Sequence, residues 1–313
     1  MSAVASAQTH QRSQPSVSVV IPTRDRPGLL RRAVDAIRAQ EYDGDVEVIT
    51  VFDQSHVHLA GFGGLTGVTL RGMTNSRSPG LAGARNTGIL AARGDLVGFC
   101  DDDDEWLPRK LAAQVELLQR TGAATASCGI YVEYHGRQIP RIADSETVTL
   151  RDLLRSRRMD IAPSTILVRR EAFQEIGLID EEIPGSYAED YEWLLRAARV
   201  SPIVVVREAL ARVHWHDSSY FVGQWEMIVS ALSYLLERYP EFRSDRVGLS
   251  RIFGQLAFAS ASCGRRGDAL EWAARAIRLS PTQPRAYLAL AVAGGLAKAD
   301  SVLRVTRTFG RGI

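Results

Sequence analysis

The pattern of apolar and polar positions along the first 220 residues predicts strands and helices in succession. Short continuous apolar runs bounded by proline, glycine or aspartate are typical of strands that are buried on both faces. Apolar residues spaced three and four apart are typical of amphipathic helices. Strands are predicted at 17–22, 46–53, 67–72, 95–101, 125–132 and 202–206, with a further strand followed by a short helix within 163–180. Helices are predicted at 26–40, 78–93, 107–121 and 187–200.

The order of these elements predicts the fold class. Strands that alternate with helices at this pitch form βαβ units, and such units build an α/β fold with a mostly parallel sheet flanked by helices. Ligands of these sheets bind beyond the carboxyl ends of the strands. Three candidate ligand groups fall at those ends, namely Thr23, Asp53 and the aspartate run 101–104. We therefore expect them to meet at one edge of the sheet.

The pattern changes near residue 222, where helical periodicity replaces strands. Helices are predicted at 223–238, 245–263, 267–279 and 284–297. The last two resemble a tetratricopeptide-type hairpin, with small residues at packing positions and prolines between the helices. The predicted organisation is a disordered tail at 1–16, an α/β domain at 17–220 and an all-α C-terminal region at 221–313.

The composition of the chain narrows the function classes. Its 313 residues are 45% hydrophobic and 24% charged with a net charge of +2, which describes a globular protein with no charge bias towards nucleic acid. Three widely spaced cysteines fit neither a zinc site nor a disulfide framework, and they favour a reducing compartment. The N-terminus has no signal-peptide pattern, and the most apolar stretch, 287–297, is too short to span a bilayer. A cytoplasmic protein with at most peripheral membrane contact is expected.

A run of four aspartates follows the strand predicted at 95–101. If the strand continues, alternation places Asp101 and Asp103 on one side and Asp102 and Asp104 on the other. Two carboxylates on one side can bind a hard divalent cation, which also relieves their mutual repulsion. The alternative is a solvated acidic loop, and the position of the run at the predicted ligand edge favours the metal.

Four sequence blocks resemble family 2 glycosyltransferases, which have the GT-A fold. The blocks are "VSVVIPTRDRPGLLRRAVDAI", "VITVFDQS", "GLAGARNTGILAARGDLVGFCDDDDEWLP" and "SYAEDYEWLLRAAR". They occur in the order typical of that family and span about residues 17–220. The resemblance implies a Rossmann-like sheet and an inverting transfer of a sugar from a nucleotide-diphosphate donor to an acceptor hydroxyl, with Mg²⁺ or Mn²⁺ as the cofactor.

The resemblance also implies roles for residues on the donor side. Thr23 and Asp53 would lie at the nucleotide, and Arg85 would lie near its diphosphate. The chain departs from the family pattern after Asp53, where Gln54 and Ser55 replace the usual second acid and glycine. The alternatives are a strand-end cap for Asp53 and a surface arginine on an amphipathic helix for Arg85.

The later motifs would supply the metal ligands and the catalytic base. By resemblance, Asp101 and Asp103 form the DxD pair that holds the metal, and Asp102 reaches the sugar or the ribose. Asp190 stands where the family carries the catalytic base, with Glu189 supporting the site or contacting the acceptor. The alternative is that these two acids only stabilise the positive end of a helix dipole.

Two histidines lie near the C-terminal end of the predicted α/β domain. In an extended segment His214 and His216 lie on the same face, and many family members have a histidine or arginine there that reaches the metal or the diphosphate. A structural role for either residue stays equally open.

The leading hypothesis is therefore a metal-dependent, hexosyl-type glycosyltransferase of enzyme class EC 2.4. A uridine diphosphate sugar is the expected donor, although guanosine and thymidine diphosphates stay open. The acceptor is a saccharide, a lipid-linked saccharide or a small metabolite. A nucleotidyltransferase is disfavoured because "PTRDRPG" stands where that class carries a glycine-rich basic loop. A catalytically degenerate scaffold that binds proteins through the helical region is the remaining alternative.

Overall fold

The computed structural model describes residues 14–62, 67–158, 160–215 and 223–308, with side chains through residue 306. Within these ranges the strands are β1 Val17–Thr23, β2 Val46–Phe52, β3 Thr69–Thr74, β4 Leu96–Phe99, β5 Glu105–Trp106, β6 Thr125–Tyr134, β7 Arg137–Arg141, β8 Thr147–Val148, β9 Leu167–Arg169 and β10 Ile203–His214. The helices are α1 Pro27–Arg38, α2 Leu81–Ala91, α3 Lys110–Thr121, α4 Leu150–Arg155, α5 Phe173–Ile176, α6 Glu189–Val200, α7 Trp225–Arg238, α8 Arg246–Ser262, α9 Arg266–Leu279, α10 Pro284–Ala293 and α11 Ala299–Thr308.

The strands form one mixed sheet in the order β3-β2-β1-β4-β9-β6-β10-β5, with β7 beside β6 and β8 beside β10. The three longest pairings, β10 with β6, β1 with β2 and β2 with β3, are parallel. The pairings of β5, β7, β8 and β9 are antiparallel. The expected mostly parallel α/β sheet is confirmed, with short antiparallel strands added to it.

The central strands are largely apolar because helices cover both of their faces. Every residue of β1 is buried. On one face Val19 packs in a cluster with Val34 of α1 and Leu118 of α3. On the other face Val20 lies in a second cluster with Leu195 of α6. This two-sided burial is the physical reason that the strands appear in the sequence as mainly apolar runs.

The helical C-terminal region adds to this second cluster rather than forming a separate layer. Leu235 of α7 and Ile252 of α8 are fully or almost fully buried within it. A third cluster packs α8, α9 and α10 together through small side chains such as Ala257, Ala273 and Ala289. The all-helical character predicted for this region is confirmed. In the part of the chain that the structure describes, no helix combines the length and apolarity needed to cross a membrane.

Several elements differ from their predicted bounds. β10 extends to His214, well beyond the predicted strand at 202–206, because a bulge between Val206 and Ala209 interrupts its apolar run and pairing resumes after it. The strands β5 and β8 have two residues each, too few to produce a pattern. β7 is polar and largely exposed, so it carries no apolar signal.

The carboxyl ends of β1, β2 and β4 lie at one edge of the sheet. Thr23, the last residue of β1, pairs with Phe52 of β2, and the backbone N–H of Asp53 donates to the Thr23 carbonyl at 2.9 Å. The backbone N–H of Cys100, directly after β4, donates to the Val20 carbonyl at 3.1 Å. Thr23, Asp53 and the aspartate run therefore meet at this edge, as expected from the parallel topology.

Candidate active site

The four aspartates form a turn rather than the end of a strand. β4 ends at Phe99, and the backbone N–H of Asp104 donates to the Asp101 carbonyl at 3.1 Å. The run does not continue the strand, because the chain turns immediately after β4. Burial nevertheless alternates along it, since Asp102 and Asp104 are buried while Asp101 and Asp103 are partly exposed.

Asp102 and Asp103 share one cation, Arg26, which directly precedes α1. Arg26 Nη2 lies 2.7 Å from Asp102 Oδ1, and Arg26 Nη1 lies 2.9 Å from Asp103 Oδ2. Asp102 also accepts a hydrogen bond from Thr23 Oγ1 at 2.7 Å. Burial raises the pKa of Asp102 to about 6, although Arg26 and Thr23 act in the opposite direction. Thr23 and Arg26 thus hold the middle of the run, Asp102 and Asp103, against the end of β1.

Asp101 is tied to Glu189 through Arg85. The Arg85 side chain is only 2% exposed, its Nη2 lies 2.6 Å from Asp101 Oδ1, and its Nη1 forms a very short ion pair with Glu189. Burial raises the pKa of Glu189 to about 7, with the neighbouring Asp190 and Asp101 adding to the rise and Arg85 opposing it. Arg85 is therefore neither a surface residue nor on an amphipathic helix. It joins the aspartate run to the later acidic motif.

The close fit of α2 against the sheet places Arg85 in this position. A Cβ on Gly88 of α2 would lie 2.3 Å from Val20 Cγ1 of β1, so only glycine allows the two elements to approach this closely. The neighbouring Asn86 donates to the Ile179 carbonyl at 2.8 Å and accepts from the Ile179 N–H at 2.9 Å. The glycines around Arg85 thus allow α2 to pack closely on the sheet, and this packing buries the charged Arg85 side chain beneath the site.

Asp104 faces away from these arginines. Its Oδ2 accepts from Ser164 Oγ at 2.5 Å, and its Oδ1 accepts from the backbone N–H of His214 at 3.3 Å. The imidazole of His214 lies 3.2 Å from Glu105 Oε1 and 4.0 Å from Glu133 Oε2. The second candidate histidine, His216, lies outside the described residues.

Asp190 is in the first turn of α6 and pairs with Arg157. Arg157 Nη2 lies 2.9 Å from Asp190 Oδ1 and 3.3 Å from Asp190 Oδ2. The residue before the helix, Ala188, has a left-handed φ of 64°, which is uncommon for a side chain with a Cβ. Such backbone conformations persist where the surrounding structure enforces them, and they are frequent at functional sites. The strain supports a special role for the start of α6.

Asp53 lines a cavity of about 350 Å³ at the edge of the sheet. Its Oδ1 accepts from Asn75 Nδ2 at 2.7 Å, and its Oδ2 accepts from the Gly80 N–H at 3.1 Å and from Gln54 Nε2 at 3.0 Å. Asp53 therefore organises three segments that form the wall of the cavity. The cavity is lined by Pro22, Thr23, Arg24, Arg26, Asp53, Gln54, Pro79, Gly80, Leu81, Ala84, Glu181, Ile183, Gly185 and Ser186.

Comparison with known families identifies the domain that carries this site. The family model described as Glycosyl transferase family 2 matches residues 18–177, just over half of the chain. The chain belongs to glycosyl transferase family 2. The match includes the cavity edge, Arg85 and the aspartate run, and it ends before the acidic motif at the start of α6.

Curated family 2 relatives are distant and differ in length. An uncharacterized glycosyltransferase of Rickettsia felis is 26% identical over 215 residues, which are 65% of this chain and 35% of that protein. The amylovoran biosynthesis glycosyltransferase AmsB of Erwinia amylovora is 28% identical over 213 residues, which are 64% of this chain and 69% of that protein. The matches span 35%, 65% and 64% of the first three relatives, all from Rickettsia.

Solved structures confirm the GT-A-type fold. TarS 1–349 of S. aureus in complex with UDP-GlcNAc has a TM-score of 0.58 at 16% identity, and the match covers 89% of this chain and 88% of the TarS 1–349 chain. The mannosyltransferase PcManGT from Pyrobaculum calidifontis, in complex with GDP-Man and Mn²⁺, has a TM-score of 0.55 at 18% identity, and the match covers 93% and 83% of the two chains. These identities are low, so the likeness concerns the fold alone.

The aspartate run of this family 2 domain has the donor chemistry of a magnesium or manganese site. No group of three or more His, Cys, Asp or Glu side chains within the described ranges is already arranged to hold a metal. However, the buried Asp102 Oδ1 has an ion-pair contact from Arg26 but no hydrogen bond of good geometry. Carboxylate oxygens are the ligands that hard cations prefer. The residues fit such a cation, with Arg26 as the group that balances their charge in this structure.

Three residues of the site were not predicted from the sequence. Arg26 binds the aspartate run, Arg157 binds Asp190, and Ser164 bonds to the Asp101 N–H at 3.0 Å as well as to Asp104. Arg26 stands in the "TRDRPG" segment directly after β1, and its place at the ligand edge was a usable signal. Arg157 and Ser164 come from irregular segments, where no periodicity indicates which way a side chain points.

Proposed function

We propose that this chain is an inverting, metal-dependent glycosyltransferase that moves a hexosyl group from a nucleotide-diphosphate sugar to an acceptor hydroxyl. The observation that carries the proposal is the continuous link from Asp101 through Arg85 to Glu189, directly beside Asp190. This link holds a donor-side carboxylate and the candidate base in one rigid assembly. Such positioning is the main requirement for a direct displacement.

The cavity at the edge of the sheet suits the nucleotide. Asp53 is fixed there by Asn75 and the Gly80 N–H, and Thr23 lies at the wall of the cavity. TarS was solved with UDP-GlcNAc and PcManGT with GDP-Man, so GT-A-type folds of this kind accommodate both nucleotides. We take a uridine diphosphate sugar as the first donor to test.

Asp101 and Asp103 would hold a Mg²⁺ or Mn²⁺ ion, with Asp102 directed by Thr23 towards the sugar or ribose. When bound, the cation would neutralise charge on the departing diphosphate. PcManGT was solved with Mn²⁺, which supports this choice of ion. His214 is held by Glu105 and stays a candidate second contact.

Asp190 is the proposed base. It would accept the proton of the acceptor hydroxyl while that oxygen forms a bond to the anomeric carbon, and the bond from this carbon to the nucleoside diphosphate breaks on the opposite face. The configuration at the anomeric carbon is thereby inverted. Arg157 orients the carboxylate through contacts to both of its oxygens, and Glu189 is anchored on Arg85 beneath it.

The decisive experiment is a donor screen that measures release of the nucleoside diphosphate with and without Mn²⁺ or Mg²⁺. We expect release to depend on the metal and Asp103→Ala to weaken metal-linked donor binding. Failure to bind any nucleoside diphosphate, with or without metal, would falsify the proposal. The free thiols of Cys100, Cys128 and Cys263 are in keeping with a cytoplasmic location, which we include in the proposal.

A further inference from the structure

Three arginines from separate segments converge near the start of α6. Arg157 follows α4, Arg251 is in α8, and Arg285 is in α10. The Arg157 and Arg251 guanidinium carbons lie 6.0 Å and 5.6 Å from the centre of the Tyr191 ring. Arg285 packs on α8 one turn from Arg251, since a Cβ on Gly254 would lie 3.0 Å from Arg285 Cβ. We call these three residues the arginine cluster.

No acid among the described residues balances the charge of Arg251. Arg251 Nη2 donates to Tyr191 Oη at 3.0 Å, and Arg251 Nη1 donates to Gln255 Oε1 at 3.1 Å. Both of these partners are neutral, and the buried Arg251 Nε has no hydrogen-bond partner. Among the residues that the structure describes, no carboxylate forms an ion pair with Arg251, although its side chain is 8% exposed. Arg157 brings the carboxylate of Asp190 to the cluster.

Burial of the charged arginines Arg251 and Arg285 is unfavourable for the stability of the folded protein. Burial lowers the pKa of Arg251, and the charge of Arg157 acts in the same direction. Burial and the charge of Arg251 lower the pKa of Arg285 to about 10. A buried cation without a counter-charge is unfavourable in a protein interior, and Arg251 therefore calls for a compensating anion. The planar guanidinium is well suited to an oxyanion because it donates two parallel hydrogen bonds.

The arginine cluster lies apart from the cavity proposed for the nucleotide. None of the three arginines lines the cavity that contains Thr23 and Asp53. The cluster instead contacts the other half of the site, because Arg157 touches Asp190 at 2.9 Å. An anion bound by the cluster would therefore lie on the side of the candidate base, where the acceptor must approach.

We propose that the arginine cluster binds an oxyanion carried by the acceptor, a phosphate or a carboxylate, and so presents a nearby hydroxyl to Asp190. This inference rests on the proposed transferase function and narrows the acceptor to an anionic one. It also assigns a role to the helical C-terminal region, because α8 and α10 supply two of the three arginines.

The test uses the full chain saturated with uridine diphosphate and Mn²⁺, so that the donor site is filled before the probe is added. Inorganic phosphate is then titrated by calorimetry. We expect binding to the wild type, a loss of at least tenfold in phosphate affinity in Arg251→Gln, and a smaller loss in Arg251→Lys, which keeps the charge but not the planar fork. Arg278→Gln, an exposed arginine of α9, is the matched control and should bind phosphate as the wild type does.

A second arm needs no variant and therefore does not depend on whether the substituted chains fold. On the nucleotide-saturated wild type, glucose 6-phosphate or glucuronate should bind at least tenfold more tightly than glucose, and the better of the two identifies the oxyanion. If inorganic phosphate and both charged sugars bind no better than glucose while uridine diphosphate binds normally, the acceptor inference is wrong and the transferase proposal stands. If no nucleoside diphosphate binds at all, both are wrong. Equal phosphate affinity in the wild type and a folded Arg251→Gln also overturns the inference.

Discussion

Arg157 holds both carboxylate oxygens of Asp190 with one nitrogen, at 2.9 Å from Oδ1 and 3.3 Å from Oδ2. Arg157 is itself fixed by the rings of Tyr187 and Tyr191, whose centres lie 5.8 Å and 6.0 Å from its guanidinium carbon. The candidate base is therefore oriented by a cation that has few other positions available. An acid that merely favours a helix N-terminus needs no such oriented partner.

Replacing Asp190 with Asn should separate binding from transfer. The amide keeps the size of the side chain but cannot accept the acceptor proton, so we expect kcat to fall by about 10² to 10⁴, the range found for loss of general-base catalysis. Nucleotide affinity, measured by calorimetry, should change little because Asp190 does not line the cavity around Asp53. Asp300→Asn in α11 is the matched control at an exposed position. Normal turnover by Asp190→Asn would show that Asp190 is not the base.

Arg85 should be important for folding stability as well as for the site. Arg85 is buried between Asp101 and Glu189. Arg85→Leu therefore leaves the buried Glu189 and the partly buried Asp101 without their counter-charge, and a loss of about 3 to 5 kcal/mol in unfolding free energy is expected. Urea denaturation measures this loss. Arg275→Leu in the exposed pair with Glu271 is the control and should cost under about 1 kcal/mol. Similar losses in the two variants would contradict the buried role of Arg85.

Glu189 should make stability depend on pH in a specific direction. Burial raises its pKa from 4.5 to about 7 in the folded chain, so between these values the folded state binds more protons than the unfolded state. This contribution to stability is complete below pH 4.5 and is lost as the pH rises through about 7. Asp102, whose pKa is raised to about 6, acts in the same direction.

The comparison of wild type with Glu189→Gln isolates the contribution of Glu189, because Asp102 is common to both. Unfolding free energies at pH 5 and pH 8 should show a larger decrease with rising pH for the wild type than for Glu189→Gln. The absolute stability of the variant is not the readout, since the amide also removes the ion pair with Arg85. Equal pH dependence in the two chains would mean that Glu189 is charged throughout this range.

The parts of the site that follow from strand topology were predictable from the sequence. Thr23 and Asp53 end parallel strands, so their convergence needs only the order of the elements. The orientation of the aspartates was not predictable in this way, because it depends on a turn closed between Asp101 and Asp104. A run of identical residues carries no pattern that marks where a strand stops.

The arginines illustrate a second limit. Arg157 lies more than 30 positions from Asp190 in the sequence, and its segment has no periodicity that would give its direction. Arg85 was recognised by its motif, but its burial depends on the close approach of α2 to β1. Long-range charge pairing of this kind is decided by tertiary packing, which local patterns do not contain.

The approach of α2 to β1 can be tested at Gly88. A Cβ at this position would lie 2.3 Å from Val20 Cγ1, so Gly88→Ala must displace α2 and should cost about 1 to 3 kcal/mol of unfolding free energy. Donor binding should also weaken, because α2 carries Arg85. Gly28→Ala in α1, where nothing lies within 4 Å of the added Cβ, is the matched control and should be neutral or slightly stabilising. If both substitutions behave alike, the close contact of α2 with β1 does not limit stability.

Arg26 should compete with a divalent cation for the aspartate run. Its guanidinium lies 2.7 Å from Asp102 and 2.9 Å from Asp103, so a bound cation either displaces Arg26 or experiences its repulsion. A unit charge and a divalent cation about 4 Å apart repel by ~2 kcal/mol in water, and removing that repulsion corresponds to roughly a thirtyfold gain in affinity. Arg26→Gln should therefore bind Mn²⁺ more tightly in the absence of any nucleotide, as measured by the electron paramagnetic resonance signal of free Mn²⁺.

Two further variants decide whether that gain belongs to the aspartate run. Arg31→Gln removes the same charge from α1, where Arg31 pairs with Asp35, and should leave Mn²⁺ affinity unchanged. Adding Asp103→Ala to Arg26→Gln should abolish the gain, because the carboxylate that Arg26 releases is then missing. A gain that survives Asp103→Ala would place the cation elsewhere, and no gain in Arg26→Gln would show that Arg26 and the metal do not share these carboxylates. Together, the two Mn²⁺ affinities show whether the aspartate run is a metal site whose charge Arg26 neutralises or an acidic turn that only anchors the start of α1.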